Sequence, residues 1–232
     1  MTRLILRLAV LAGLLLALLP LHGLWRLTGQ PSPWPRRFLG TSARIMGARC
    51  RVVGMPLTRD VVLIANHLSW LDILLLAGST GATFVAKAEL ARAPLVGWLA
   101  SLNDTIFVAR GNRMAVGDQV ADIRRALGPR PVAIFPEGTT GDGITLLPFK
   151  PALLAALERP PPGLSVQPVR IDYGDATGDL AWVGDEPGAT HARRVLSRRD
   201  SFVATLTFIE PFAPTGGRKA IAAEARRRIE AA

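Results

Sequence analysis

His67 and Asp72 are residues whose types and spacing can do acid–base chemistry. They lie in "VVLIANHLSWLD", residues 61 to 72, where five apolar residues that read as a buried strand run straight into Asn66-His67. Histidine changes charge near neutral pH, and a neighbouring carboxylate can fix its tautomer and steady the imidazolium. On a continuous helix, positions five apart are separated by about 140°. The pair can therefore meet only if His67 belongs to the turn after the strand and Asp72 to the first turn of the next helix. A purely structural reading competes: Ser69-x-x-Asp72 is the pattern of a capping box, with His67 merely hydrogen-bonded in the turn.

Two further stretches put functional side chains at strand ends. "DTIFVAR" (104–110) finishes an apolar run in Arg110, an anion ligand. "IFPEGTTGDG" (134–143) sets Pro136, Glu137, Gly138, Thr139 and Thr140 directly after another apolar run, as a rigid turn with backbone N–H groups to offer. Lys87 and Lys150 flank these motifs.

Elements able to position them follow from the pattern. Short β-branched runs occur at 61–65, 83–86, 105–109, 132–135, 166–171 and 202–208, and helical stretches at 70–77, 89–102, 114–127 and 151–158 separate the earlier ones. Such alternation predicts an α/β domain on a largely parallel central sheet flanked by helices. In open α/β sheets, sites lie outside the carboxyl ends of strands. His67, Arg110 and Glu137 each follow such a run. "RPPPG" (159–163) reads as a stiff loop and the tail from Gly217 as a surface helix.

The first residues are different in kind. "LILRLAVLAGLLLALLPLHGLW" carries one fixed charge, Arg7, and a helix from Leu4 to Leu24 would be about 30 Å long, enough to cross a hydrocarbon core. Pro20 and the short uncharged centre also allow insertion into one leaflet. A cleaved signal peptide is the rival, but "LPLHGLWRL" offers no small-x-small cleavage site. Arg26, Arg36, Arg37 and Arg44 after the run, against Arg3 and Arg7 before it, place the body in the cytoplasm at the inner membrane. "WPRRFLGTSARIMGAR" gathers Trp34, Phe38, Leu39, Ile45 and Met46 on one helical face, as an interfacial amphipathic segment does; Arg49 breaks the pattern. The expected organisation is an anchor over 1–28, an amphipathic segment over 29–50 and a catalytic domain over 51–232.

The formal charge is +10, from three lysines and twenty-five arginines among 28 cationic residues. That surplus suits an anionic partner such as a lipid surface, or reflects a biased composition. No Arg/Gly repeat exists and Cys50 is the only cysteine, which rules out an internal disulfide and zinc-finger spacing and leaves nucleic acid without support.

The blocks together resemble the 1-acylglycerol-3-phosphate acyltransferase family, whose Asn-His-x4-Asp appears as "NHLSWLD". "TIFVAR", "FPEGTT" and "VQPVRI" match its later blocks in order, over about residues 61 to 171. The resemblance implies transfer of a fatty acyl group from acyl carrier protein or coenzyme A to a lysolipid hydroxyl. His67 and Asp72 would be catalytic, Arg110, Glu137, Gly138, Thr139, Thr140 and Lys87 would bind substrate, and neither metal nor cofactor is implied. Backbone N–H groups near Gly138 or in the His67 turn would hold the oxyanion. Two positions depart from the pattern. Asp104 replaces a common glycine, and Thr140 replaces the arginine associated with the acceptor's phosphate. The form "FPEGTTGDG…LPFK" with "WVGD" resembles a bacterial subgroup that includes lyso-ornithine lipid acyltransferases. Lysophosphatidate is the first expected acceptor and lyso-ornithine lipid the second. A membrane-attached hydrolase and a non-catalytic lipid-binding protein are the readings from other classes.

Overall fold

The computed structural model describes residues 2–108, 121, 123, 126, 127 and 129–232. Helices α1 (Thr2–Arg26) and α2 (Trp34–Ile45) precede β1 (Ala48–Val53), β2 (Val61–Ala65), α3 (Leu71–Thr80), β3 (Thr83–Lys87), α4 (Ala88–Ala91), α5 (Pro94–Leu102) and β4 (Ile106–Val108). After β5 (Val132–Ile134) come a 3-10 segment (Pro151–Leu157), β6 (Ser165–Asp172), α6 (Thr177–Leu180), α7 (Gly188–Ser197), β7 (Phe202–Phe208) and α8 (Gly217–Glu230). Among the described residues the strands form one sheet in the order β1-β7-β6-β2-β5-β3-β4. Every pairing is parallel except β6 with β7. The fold is the mostly parallel α/β sheet expected.

Strand β2 shows why its sequence is continuously apolar. Its five residues are all fully buried: Val61, Leu63 and Ala65 join the core under α3, and Val62 and Ile64 join the core under α8. A sheet covered on both faces leaves no polar side to alternate. The carboxyl ends of β2, β5, β3 and β4 then lie side by side, so the turns after them form one rim.

Three elements differ from expectation. Ala48–Cys50, expected to end the amphipathic segment, instead open β1, which pairs with β7 from Ala48↔Phe202 onward. This is why Arg49 broke the helical pattern. The helix expected over 89–102 is two, α4 and α5, because Pro94 lacks the N–H that would continue it and starts a new helix instead. Helix α7, at 188–197, was not expected. The helix expected over 114–127 lies almost wholly outside the described residues.

Helix α2 turns its apolar residues inward. Trp34, Phe38, Leu39 and Ile45 are half-buried and Met46 is buried. It crosses α3 so closely that a Cβ on Gly78 would lie 2.5 Å from the Gly40 Cα. Arg36 closes the crossing by donating to the Ser79 carbonyl at the end of α3 (2.5 Å). Helix α1, a candidate membrane anchor by length and composition, lies against the body along one stripe. Leu4, Arg7, Leu11, Leu14, Leu15, Leu18 and Leu19 are half-buried and His22 is buried, while Ile5, Leu6, Leu16 and Leu24 face outward. Near its start, Arg7 donates to the Leu196 carbonyl (3.0 Å); at its end, Arg26 pairs with Asp104 (2.9 Å).

Asp104 accounts for one departure from the family pattern. Its φ is 53°, the left-handed region where glycine is usual and Asp is tolerated, and its carboxylate bridges Arg26 and Arg130 (3.2 Å). Asp104→Gly is expected to change stability little, because relief of the backbone offsets a half-exposed ion pair. Asp104→Ala loses the pair and keeps the strain, so it should fall about 1–2 kcal/mol below both. Thermal melts of the three proteins in one detergent check the order.

Candidate active site

His67 and Asp72 meet as the sequence requires. His67 lies in the turn after β2 and Asp72 in the first turn of α3, with Nδ1 and Oδ2 2.7 Å apart. Asp72 is fully buried, and three more donors converge on it. The Leu68 and Ser69 N–H groups donate to Oδ2 (2.6 and 3.0 Å), and the Tyr173 hydroxyl donates to Oδ1. The capping-box contact and the His–Asp contact therefore both exist, made by one oxygen. With Nδ1–H given to Asp72, Nε2 is left as the basic nitrogen. The imidazole stacks on Phe135 at 4.1 Å, and Phe135 stacks on Phe84 at 5.9 Å, so the ring leans toward β5 and β3. Its side chain is 18% exposed, enough for contact with a substrate.

Glu137 is a brace for this turn. It is 2% exposed; Oε1 accepts the His67 N–H (2.8 Å) and Oε2 the Leu147 N–H (3.2 Å). The Gly141 N–H returns a bond to the His67 carbonyl (2.7 Å). Burial pushes the Glu137 carboxyl up, and the two backbone donors pull it part of the way back. Asn66 ties the same turn to β6, donating to the Ile171 carbonyl (2.9 Å) and accepting its N–H (2.7 Å). Ser69 is fully buried, and its hydroxyl accepts the Leu71 N–H (3.3 Å), which fits a cap better than a nucleophile.

The oxyanion donors expected near His67 are spoken for. His67, Leu68 and Ser69 give their N–H groups to carboxylates, and Gly138, at φ 69°, donates to the Phe135 carbonyl (3.1 Å). Thr139 is exposed beyond that turn. Thr140 is committed to protein: its hydroxyl donates to the Trp182 carbonyl, and the Trp182 N–H donates to the Leu68 carbonyl (2.8 Å). Lys87 stands exposed at the carboxyl end of β3, paired in register with Val108 of β4. Arg110, two residues farther on, lies outside the described residues. Lys150 is exposed, with its N–H on the Pro136 carbonyl (2.8 Å). Among the described residues no group of His, Cys, Asp and Glu could hold a metal ion.

A cleft on the β6 side of the turn is lined by Asn66, Glu137, Arg170, Asp172 and Glu230, without His67. It lies beside the pair rather than in front of the imidazole. Sequence reasoning missed Tyr173, although it is the chain's only tyrosine and immediately follows β6. Burial and the adjacent Asp72 charge push its phenol well above the ordinary range, so it remains a donor. His191 was missed too. It is fully buried, accepts from Trp70 Nε1 (2.8 Å), donates Nε2–H to the Leu180 carbonyl (3.0 Å) and stacks on Trp182. With both nitrogens engaged it supports the site's rim and is not a second base.

A mostly parallel α/β sheet with a histidine–carboxylate pair on its carboxyl rim is an arrangement chemically able to activate a hydroxyl or water. The chain belongs to the acyltransferase family, whose model matches residues 49–172. It is 35% identical over 227 residues to the lyso-ornithine lipid O-acyltransferase of Rhodobacter capsulatus, covering 90% of this chain and 81% of that one. It is 35% identical over 124 residues to the 1-acyl-sn-glycerol-3-phosphate acyltransferase of Neisseria gonorrhoeae, covering 51% and 46%. The crystal structure of the 1-acyl-sn-glycerophosphate acyltransferase of Thermotoga maritima matches with a TM-score of 0.61 at 25% identity, over 85% of this chain and 77% of that one.

Proposed function

We propose that this acyltransferase moves a fatty acyl group from a thioester, on acyl carrier protein or coenzyme A, to the hydroxyl of a lysolipid, and that the lysolipid is lyso-ornithine lipid. The acyl-transfer reading rests on the His67–Asp72 pair. Nε2 of His67 takes the proton of the acceptor hydroxyl as its oxygen attacks the thioester carbonyl carbon. Asp72 holds the tautomer and stabilises the imidazolium, with Tyr173 holding Asp72. When the tetrahedral intermediate collapses, the C–S bond breaks and the imidazolium returns the proton to the leaving sulfur. Every bond made or broken belongs to the two substrates and His67, so the chemistry requires no resident cofactor. Lys87, at the carboxyl end of β3, and Arg110, two positions past β4 in the sequence, position the acceptor head. Gly138 and Thr139 shape the rim, and Glu137 acts through the His67 turn.

Thr140 carries the choice of acceptor. A cation beside a phosphate makes a contact roughly twice as strong as a neutral hydrogen bond. This chain has instead a threonine whose hydroxyl is used by Trp182. The similarity to the Rhodobacter enzyme extends over nearly the whole chain, which also favours an amino-acid head group and reverses the order of acceptors expected from the cationic surplus and the family's commonest activity. Lysophosphatidate is the second reading, supported by Lys87 on the rim and by the similarity to the Neisseria enzyme.

The anchor, residues 1–28, belongs to this proposal, with 29–50 joining it to a cytoplasmic catalytic domain. Both ends of α1 are held by the same body, at Leu196 and at Asp104, which supports a helix lying in one leaflet over one that crosses. Purified protein given labelled acyl thioester and a panel of lysolipids tests the function: acylated lipid supports it, whereas free fatty acid alone would assign a hydrolase. Thr140→Arg is expected to shift the ratio of kcat/KM values toward lysophosphatidate. An unchanged ratio in an active variant would remove position 140 from head-group selection.

A further inference from the structure

The segment between β3 and β4 carries an apolar surface that the reaction does not use. In α4, α5 and the turn between them, Leu95 is 63% exposed, Val96 53%, Leu90 43% and Trp98 40%. Helix α5, "PLVGWLASL", contains no charged residue and buries only Gly97. The two helices form a fixed unit, because a Cβ on Gly97 would lie 2.5 Å from the Ala91 carbonyl oxygen. Large apolar side chains held outward on a rigid element indicate something that covers them.

We propose that α4 and α5 are a second membrane contact, seated in the interfacial layer of the leaflet that holds α1. Two observations select a bilayer as the occupant. The Arg26–Asp104 pair sets the end of α1, where Leu24 (65%) and Trp25 (41%) are exposed, beside the residue two positions past α5. Its flanks also suit head groups: Arg92 is exposed between the helices, and tryptophan and arginine are favoured where hydrocarbon meets water. A contact here brings the carboxyl ends of β3 and β4, and with them Lys87, to the bilayer surface. A membrane-resident acceptor then reaches the rim of His67 without leaving the lipid.

The proposal rests on α1 being membrane-bound, and the test separates the two. In a Cys50→Ser background, single cysteines are introduced as Leu6→Cys, Leu95→Cys and Lys219→Cys in the full chain and labelled with a polarity-sensitive fluorophore. Each protein is reconstituted in nanodiscs of anionic phospholipid, one copy per disc. The labels at 6 and 95 are expected to emit at shorter wavelength, to be quenched by lipid-borne nitroxide and to be shielded from iodide. The label at 219, on an exposed site of α8, is expected to behave oppositely. Lipid quenching at 6 with iodide quenching at 95 overturns the proposal and leaves the anchor standing. Iodide quenching at both positions removes the anchor and the proposal together. Shielding at 95 that appears only in discs with two copies assigns the face to self-association and overturns it.

Discussion

His67→Ala is expected to lower kcat by about 10²–10⁴ while the protein stays folded and membrane-bound. The reason lies in how Asp72 is held. Removing the imidazole takes away one of four donors to the carboxylate; the Leu68 and Ser69 N–H groups and the Tyr173 hydroxyl remain. The buried charge is therefore not orphaned, and the turn keeps its ties through Glu137 and Asn66. The loss falls on proton transfer alone. Steady-state turnover of a labelled acyl thioester with saturating lysolipid measures it, with circular dichroism and vesicle flotation as controls for folding and binding. A folded variant that turns over within tenfold of the parent would remove His67 as the base.

The sequence made the His–Asp contact legible because its constraint is local: a buried strand, a turn and a helix start leave one way for positions five apart to meet. The parallel sheet was legible for a similar reason, since β2 and β7 have the bounds their β-branched runs suggested. Long-range partners were not legible. Nothing within ten residues of Tyr173 indicates that its hydroxyl ends on Asp72, a partner 101 positions away. His191 and Trp70 are 121 apart, and only the placement of α7 brings them together. Strand β1 was hidden because its side chains after Ala48 are exposed, including three charged or polar ones, so no apolar run marks it. Pairing with β7, an edge decided by the whole sheet, makes it a strand. Asp104 is the converse case. It departs from a glycine pattern, yet the left-handed backbone is kept and the added carboxylate reaches α1.

Glu137→Gln separates a brace from a substrate ligand, and it should lower kcat by about tenfold or more with little change in the KM for lysolipid. Both carboxylate oxygens accept backbone N–H groups, from His67 and from Leu147. An amide keeps one acceptor and turns an NH2 toward the other donor. Leaving such a buried donor unsatisfied costs about 1–3 kcal/mol, and each 1.4 kcal/mol lost from positioning in the transition state is about tenfold in rate. Stability should fall by the same order in a denaturant titration. The pH dependence adds a readout that simple misfolding would not give. Burial raises the Glu137 carboxyl above its ordinary value of 4.5, so the native chain binds this proton more readily than the unfolded chain. As pH falls through that raised value, stability contributed by this group increases, yet one acceptor in the His67 turn is lost. The acid limb of kcat in the parent should therefore contain the protonation of Glu137 and bend further downward as pH falls through that raised value. The Gln variant, which has no proton to gain at 137, should lack that bend. If the KM for lysolipid rises and kcat and the limb are unchanged, Glu137 touches the acceptor, as its place in "FPEGTT" first suggested, and the brace assignment fails.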